Sequence, residues 1–277
     1  MLTTSERRIM CGALEDDPLV GIIGPADGAV DPAALEATVD DRGGRAVTGG
    51  RETVLEAEPS LLVVEGEADL AAVARARATV PTLVVGSISG VETVEPAQAT
   101  SALESALAGS ARVRRLPLLE VDVESRGGDL ETATEANEHT ELERALFDVT
   151  LVTKEPAQIS EFGVYSRDEL LEAVRADGIV AATPAGSHGY TTALGGPLLS
   201  VGVDGVAVTP IAPFVTRTPR WVVPSDDIVL SVERNEADVT LVVDGQDRET
   251  LTIGATVRLS SPGGLPVVVP APNCDSS

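Results

Sequence analysis

Short apolar runs alternate with stretches of helical period along roughly the first 115 residues. Leu19 to Ile23 runs apolar into Gly24-Pro25, which predicts a strand and its loop. Asp31-Pro32 opens a helix through Val39, because Asp suits an N-cap and Pro tolerates the first helical position; Gly43-Gly44 stops it. Leu61 to Val64 predicts a second buried strand. It is followed by Glu65-Gly66-Glu67-Ala68-Asp69 and an alanine-rich helix through Arg77. Pro81 to Val85 predicts a third strand, and Ala99 to Leu107 another helix ended by Gly109. This succession argues for a parallel sheet with helices on its faces. Ligands bind such sheets outside the carboxyl ends of the strands, and the Glu65 to Asp69 loop stands in that place.

After Arg115 the period changes. Leu119 to Val123 alternates as a half-buried strand does. Further β-branched or alternating runs are Val149 to Thr153, Phe162 to Tyr165, Ile179 to Thr183, Val206 to Thr209, Ile228 to Val232, Val239 to Val243 and Thr256 to Leu259. Among the early ones, Arg167 to Ala173 alone reads as a helix. Gly127 to Thr140, polar and acidic, reads as a hairpin tip or mobile loop. The expected fold is thus an α/β N-terminal domain with a parallel sheet, over residues 1–116, followed by a β-rich C-terminal domain over residues 117–254.

Composition narrows the function. The 277 residues carry 20 Lys and Arg against 44 Asp and Glu, for a net charge of −24, and only 2% are aromatic. A field of that sign repels nucleic acid and anionic lipid, and few rings are left for stacking bases. Lys154 is the one lysine among the basic residues, and the acids are dispersed rather than gathered in a tail. That usage points to a protein kept soluble in concentrated salt, where self-repulsion is screened. Cys11 and Cys274 make neither a disulfide framework nor a zinc site. With no long apolar stretch and no signal core, the expectation is a soluble cytoplasmic protein.

Ala185-Gly186-Ser187-His188-Gly189 looks like a relaxed nucleophile elbow, but a hydrolase triad needs a histidine after the serine and the acid. The histidines are His139 and His188, and none follows. The chain also lacks a Gly-Lys-Ser/Thr phosphate loop and a Gly-x-Gly-x-x-Gly after a strand. Two histidines are too few for a histidine-based metal site, which leaves Mg²⁺ on carboxylates and substrate phosphates.

The most informative stretch begins at Arg175. It reads Arg175-Ala176-Asp177-Gly178, then Thr183-Pro184-Ala185-Gly186-Ser187-His188-Gly189-Tyr190, then Gly195-Gly196-Pro197, then Thr209-Pro210-Ile211-Ala212-Pro213. A strand running into small residues lets backbone groups approach a ligand closely. As an ordered string, it resembles the NAD kinase family, whose members read Asp-Gly, Thr-Pro-Thr-Gly-Ser-Thr-Ala-Tyr, Gly-Gly-Pro and Thr-Pro-Ile-x-Pro. Pro219-Arg220-Trp221-Val222-Val223-Pro224 and Asp244-Gly245-Gln246 are similar to that family's C-terminal sheet.

The resemblance implies transfer of a phosphoryl group from ATP or polyphosphate to the 2′-hydroxyl of NAD, with Mg²⁺. It also implies a homodimer or homotetramer assembled through the second domain, and a chain end, about residues 255–277, returning to the first. The family's Gly-Gly-Asp-Gly-Thr falls on Glu65 to Asp69, so Glu67 takes the place of the catalytic aspartate. Ala68 takes a glycine's place, where a positive φ would strain it. The Asn-acid pair that contacts the dinucleotide falls on Phe147-Asp148, leaving Asp148 as an acceptor and Phe147 only a ring to stack. His188 and Gly189 replace Thr-Ala, with His188 a donor toward phosphate or carboxamide. Arg175, Asp177, Tyr190 and Gln246 match the family pattern and complete the implied NAD site. The departures leave two other readings open: a catalytically impaired NAD(P)- or nucleotide-binding paralogue, and a kinase for another small hydroxyl compound.

Overall fold

The computed structural model describes residues 9–10, 17–24, 28–124, 142–155, 160–214, 219–234 and 238–269. The loop expected at 127–140, with Cys11, His139 and Cys274, lies outside the described residues. The first elements in chain order are β1 (Ile9–Met10), β2 (Leu19–Ile23), α1 (Pro32–Asp41), β3 (Arg45–Gly49), α2 (Arg51–Glu56) and β4 (Leu61–Glu65). Next come α3 (Glu67–Arg75), β5 (Thr82–Val85), α4 (Ala99–Leu107), β6 (Arg112–Pro117), β7 (Leu119–Glu124), β8 (Glu143–Ala145) and β9 (Asp148–Thr153). They are followed by β10 (Ser160–Ser166), β11 (Glu169–Ala176), β12 (Gly178–Ala182), α5 (Tyr190–Ala193), β13 (Val206–Ile211) and β14 (Trp221–Val223). The last are β15 (Ile228–Arg234), β16 (Val239–Val243), β17 (Gln246–Leu251), β18 (Thr256–Ser260) and β19 (Gly264–Val269).

The chain forms two compact units, Met1–Leu116 with Leu265–Ser277, and Pro117–Gly264. In the first unit the sheet order is β1-β6-β19-β5-β4-β2-β3. Strands β19, β5, β4, β2 and β3 pair in parallel, as apolar runs separated by helices require. Val20, Ile22, Leu61, Val63, Leu83 and Val85 pack against Leu35, Val39 and Leu103 of the helices. Asp31 caps α1 through its Oδ1, which accepts from the Ala33 amide at 3.0 Å. Among the described residues no helix is long and apolar enough to cross a membrane.

The second unit holds two antiparallel six-stranded sheets, β11-β10-β15-β18-β7-β8 and β14-β13-β12-β9-β16-β17. Their inner faces share one apolar core that includes Phe162, Leu230 and Leu259 from one sheet and Leu151, Ile179 and Leu241 from the other. This is the expected fold class, an α/β domain followed by a β-rich one.

One expected element is corrected. Arg167 to Ala173 is no helix. Residues 169–176 form β11, an edge strand paired antiparallel with β10. Leu-Glu-rich sequence favours a helix locally, but Arg167 and Asp168 take positive φ of 51° and 63° and turn the chain tightly back. Arg167 fixes that turn. Its amide donates to the Asp227 carbonyl at 3.0 Å, and its Nη2 donates to Asp226 Oδ2 at 2.9 Å. The guanidinium hydrogen bond in turn holds the Asp226 carboxyl below the ordinary carboxylate range.

Candidate functional site

In the first unit, β4 delivers its carboxyl end to Gly66, which caps α3 with φ +95°. Glu67 and Ala68 follow as the first two residues of the helix, both exposed. An acid in the first turn suits the helix dipole, which favours negative charge there. The strain expected at Ala68 is corrected: the positive φ falls on Gly66, and Ala68 lies inside the helix without one. Glu65 points elsewhere, with Oε1 accepting from the Ala29 amide at 2.7 Å and Oε2 from the Val30 amide at 3.4 Å. That carboxylate ties the loop after β2 to the end of β4.

In the second unit, the sheet β14-β13-β12-β9-β16-β17 gathers most of the expected residues at one end. Asp148 opens β9 and pairs with Ala182, the last residue of β12. There the chain turns through Thr183 to Gly189 into the short helix α5. Small residues make this turn tight. The Thr183 amide donates to the Phe147 carbonyl at 2.9 Å, and the Thr183 hydroxyl donates to the Leu146 carbonyl at 2.7 Å. The same hydroxyl accepts from the Gly186 amide at 3.2 Å. A Cβ on Gly186 would stand 1.9 Å from the Phe147 carbonyl oxygen, so only glycine fits.

Ser187 is fully buried, donating to the Pro184 carbonyl at 2.8 Å and accepting from the Leu199 amide at 2.9 Å. With its hydroxyl so committed it is a staple of the turn, not a nucleophile. His188 Nε2 lies 3.1 Å from the Leu199 carbonyl. A carbonyl only accepts, so Nε2 carries the proton and Nδ1 of the neutral ring is an acceptor. The ring atom left for the role expected of His188 is therefore Nδ1, which accepts from a carboxamide NH₂ in the neutral ring and donates to phosphate in the protonated one. Gly189 and Tyr190 are exposed, Tyr190 at 49%, so Tyr190 is no core residue.

Phe147 is 7% exposed, which leaves little of its ring for the stacking expected of it; its backbone does the connecting instead. Opposite it stands a residue that the sequence pattern marks only as a turn. Asp244 and Gly245 join β16 to β17 with φ of 46° and 72°, the positive pair of a type I′ hairpin. The Asp244 carboxylate accepts from three consecutive amides: Leu146 at 2.9 Å, Phe147 at 2.7 Å and Asp148 at 3.2 Å. Its own amide donates to the Asp148 carbonyl at 3.0 Å. Gln246, exposed, opens β17 immediately after the turn.

Arg175 and Asp177 lie elsewhere: Arg175 is on β11 of the other sheet, and Asp177 precedes the end of β12 opposite Ala182. Asp177 links β11 to β12, its amide donating to the Ile211 carbonyl at 3.0 Å and its carbonyl accepting from the Thr153 amide at 2.9 Å. Arg175 is exposed on β11. The residues from Asp177 to Thr183 span about 20 Å at the usual rise of ~3.3 Å per strand residue. So Asp148, the Thr183–Tyr190 turn and Gln246 form one group, while Arg175 and Asp177 form another.

Near the first group, Gly196 lets segments of the chain pack closely: a Cβ there would meet Thr209 Oγ1 and, at 2.6 Å, Thr191 Cγ2. The hydroxyls of Thr191 and Thr209 are buried without a hydrogen-bond partner among the described residues. No three His, Cys, Asp or Glu side chains among the described residues cluster tightly enough to hold a metal by themselves.

Residues 146–268 match the family model described as the ATP-NAD kinase C-terminal domain. This C-terminal part of the chain is similar to the NAD kinase family. An NAD kinase from Methanosarcina barkeri is 34% identical over 176 residues, which are 63% of this chain and 58% of that protein. A bifunctional NADP phosphatase/NAD kinase from Methanocaldococcus jannaschii is 40% identical over 101 residues, 36% of this chain and 18% of that one. The chain therefore spans a little over half the length of the Methanosarcina barkeri kinase. Among solved structures, yeast NADH kinase complexed with NADH superposes with a TM-score of 0.75 at 16% identity, covering 94% of this chain and 85% of that one. An NAD kinase from Archaeoglobus fulgidus in complex with ATP gives 0.70 at 18% identity, covering 92% and 94%. At those identities the likeness shows the fold.

Proposed function

We propose that this chain is a member of the NAD kinase family and phosphorylates the 2′-hydroxyl of NAD, with ATP or polyphosphate as donor, to give NADP. The observation that carries the reading is the hydrogen-bonded group at one end of the sheet that holds β9, β12 and β17: Asp148, the Thr183–Tyr190 turn and Gln246. Asp148 offers acceptors for ribose hydroxyls or the adenine amino group. His188 Nδ1 accepts from the nicotinamide carboxamide, and exposed Tyr190 and Gln246 flank the dinucleotide. The relatives named NAD kinase and the neighbours holding NADH or ATP support the same substrates.

Glu67 is the base. It takes the proton as the 2′-oxygen attacks the terminal phosphorus, and the bond from that phosphorus to the bridging oxygen of the donor breaks. A carboxylate exposed on the first turn of α3, backed by no competing hydrogen bond in the described structure, is free to do so. Mg²⁺ would neutralise the donor's phosphates. It would be held mainly by those phosphates, with Asp69 of the first turn of α3 as the protein carboxylate, which leaves Glu67 to act as base.

Arg175 and Asp177 stand a strand's length from Asp148, so we assign them to the NAD site of a neighbouring copy, which makes the active form a homodimer or homotetramer. Mixing Asp148→Ala chains with Asp177→Ala chains should then restore turnover through hybrid sites; no recovery would contradict the assignment. The kinase reading itself is tested by NADP formation in molar KCl, the medium suited to a charge of −24, with Mg²⁺, NAD and each donor in turn. NAD binding without any turnover would instead make this a binding protein on a kinase fold.

A further inference from the structure

From the geometry we infer that Asp244 is a positioning residue for the dinucleotide site, an inference that rests on the NAD kinase reading. Its carboxylate is a fixed anion on which the amides of Leu146, Phe147 and Asp148 converge. Hydrogen bonds to an ionised acceptor are roughly twice as strong as neutral ones. Three in succession fix the bend that carries the chain into β9.

The consequences spread from that bend. Leu146 and Phe147 present their carbonyls to Thr183, so the bend sets the start of the Thr183–Tyr190 turn. The Asp148 carbonyl receives the Asp244 amide in return, which locks the bend to the hairpin. Gln246 sits two residues beyond Asp244 on the same hairpin. One carboxylate thus joins the three segments assigned to NAD: the Asp148 strand end, the histidine-bearing turn and the glutamine. Asp244 touches none of the substrate; it sets the spacing of the groups that do.

Asp244→Asn separates this role from the turn itself. Asparagine tolerates the positive φ of 46°, so the hairpin is kept. Its amide NH₂ then faces an N–H where a carboxylate oxygen stood, donor against donor. The expected result is a KM and a Kd for NAD raised about 10- to 100-fold, with kcat within about threefold, and faster amide exchange at Leu146, Phe147 and Asp148. A merely structural role would lower the melting temperature and leave the KM of the folded fraction unchanged, and that result overturns the inference. If the asparagine chain does not fold, Asp244→Gly keeps the backbone conformation without the donor clash, and the same readouts apply. Wild-type protein that binds NAD without forming NADP overturns the kinase reading alone, because the Kd comparison still decides the role of Asp244. Wild-type protein that binds no NAD overturns both.

Discussion

Gly186→Ala is expected to destabilise the second unit by about 2–3 kcal/mol, the upper part of the range for overpacking, and to lower the melting temperature by roughly 5–10 °C. The added methyl would sit 1.9 Å from the Phe147 carbonyl oxygen and 2.4 Å from its carbon. Both are backbone atoms, held by the Asp244 carboxylate on the Phe147 amide and by the Thr183 amide on the same carbonyl. No side chain can swing aside to relieve the contact. The turn must move as a whole, and it carries His188 and Tyr190 with it. A displacement of about 1 Å in positioning groups can cost ~10²-fold in rate, so activity should fall more than stability does. Gly202→Ala is the control: its Cβ would meet nothing within 4 Å. Thermal unfolding of both variants measures the difference, and equal melting temperatures would contradict the packing account.

The second large effect is on catalysis alone. Glu67→Gln keeps the shape of the side chain and removes its ability to take a proton, so kcat should fall about 10²- to 10⁴-fold, the usual worth of a general base. Stability should change by less than ~1 kcal/mol, because Glu67 is exposed and its structural contribution is that of an acid near a helix N-terminus. Glu67→Asp restores the family's aspartate with a shorter reach and should remain active. Steady-state NADP formation by the three proteins decides the matter, and a glutamine variant that works as well as the wild type would remove Glu67 from the chemistry.

Much of this molecule is legible along the chain where local and tertiary preferences agree. Leu19 to Ile23 and Leu61 to Val64 are apolar runs between turn residues, and both become strands of the parallel sheet. Ile228–Arg234 and Val239–Val243 are β-branched, and they enter the two sheets as expected. Where the levels disagree, the local pattern misleads. Glu169 to Ala176 has the residues of a helix, yet the tight turn at Arg167-Asp168 and the free edge of β10 make it a strand. Arg45–Gly49 goes unread because it is the outermost strand of its sheet, only partly buried and with just Ala46 and Val47 as apolar side chains.

The candidate site shows the same division. The Thr183–Tyr190 turn announces itself through its small residues and their order. Asp244 does not, because Asp-Gly is an ordinary hairpin signal, while its carboxylate serves amides 96 to 98 residues earlier. No window of sequence contains both partners. The committed Nε2 of His188 and the burial of Phe147 are likewise products of packing, set by Leu199 and by the turn above β12.

The most direct test of the central claim is the position of the phosphate in the product. Purified wild-type protein is incubated with NAD, Mg²⁺ and ATP or polyphosphate in molar KCl, and the product is analysed by phosphorus NMR and by a dehydrogenase specific for NADP. The account predicts a new monoester on the 2′-oxygen of the adenosine ribose, formed by the wild type and lost in Glu67→Gln. NAD recovered unchanged from protein that binds it, or a phosphate on any other hydroxyl, would contradict it.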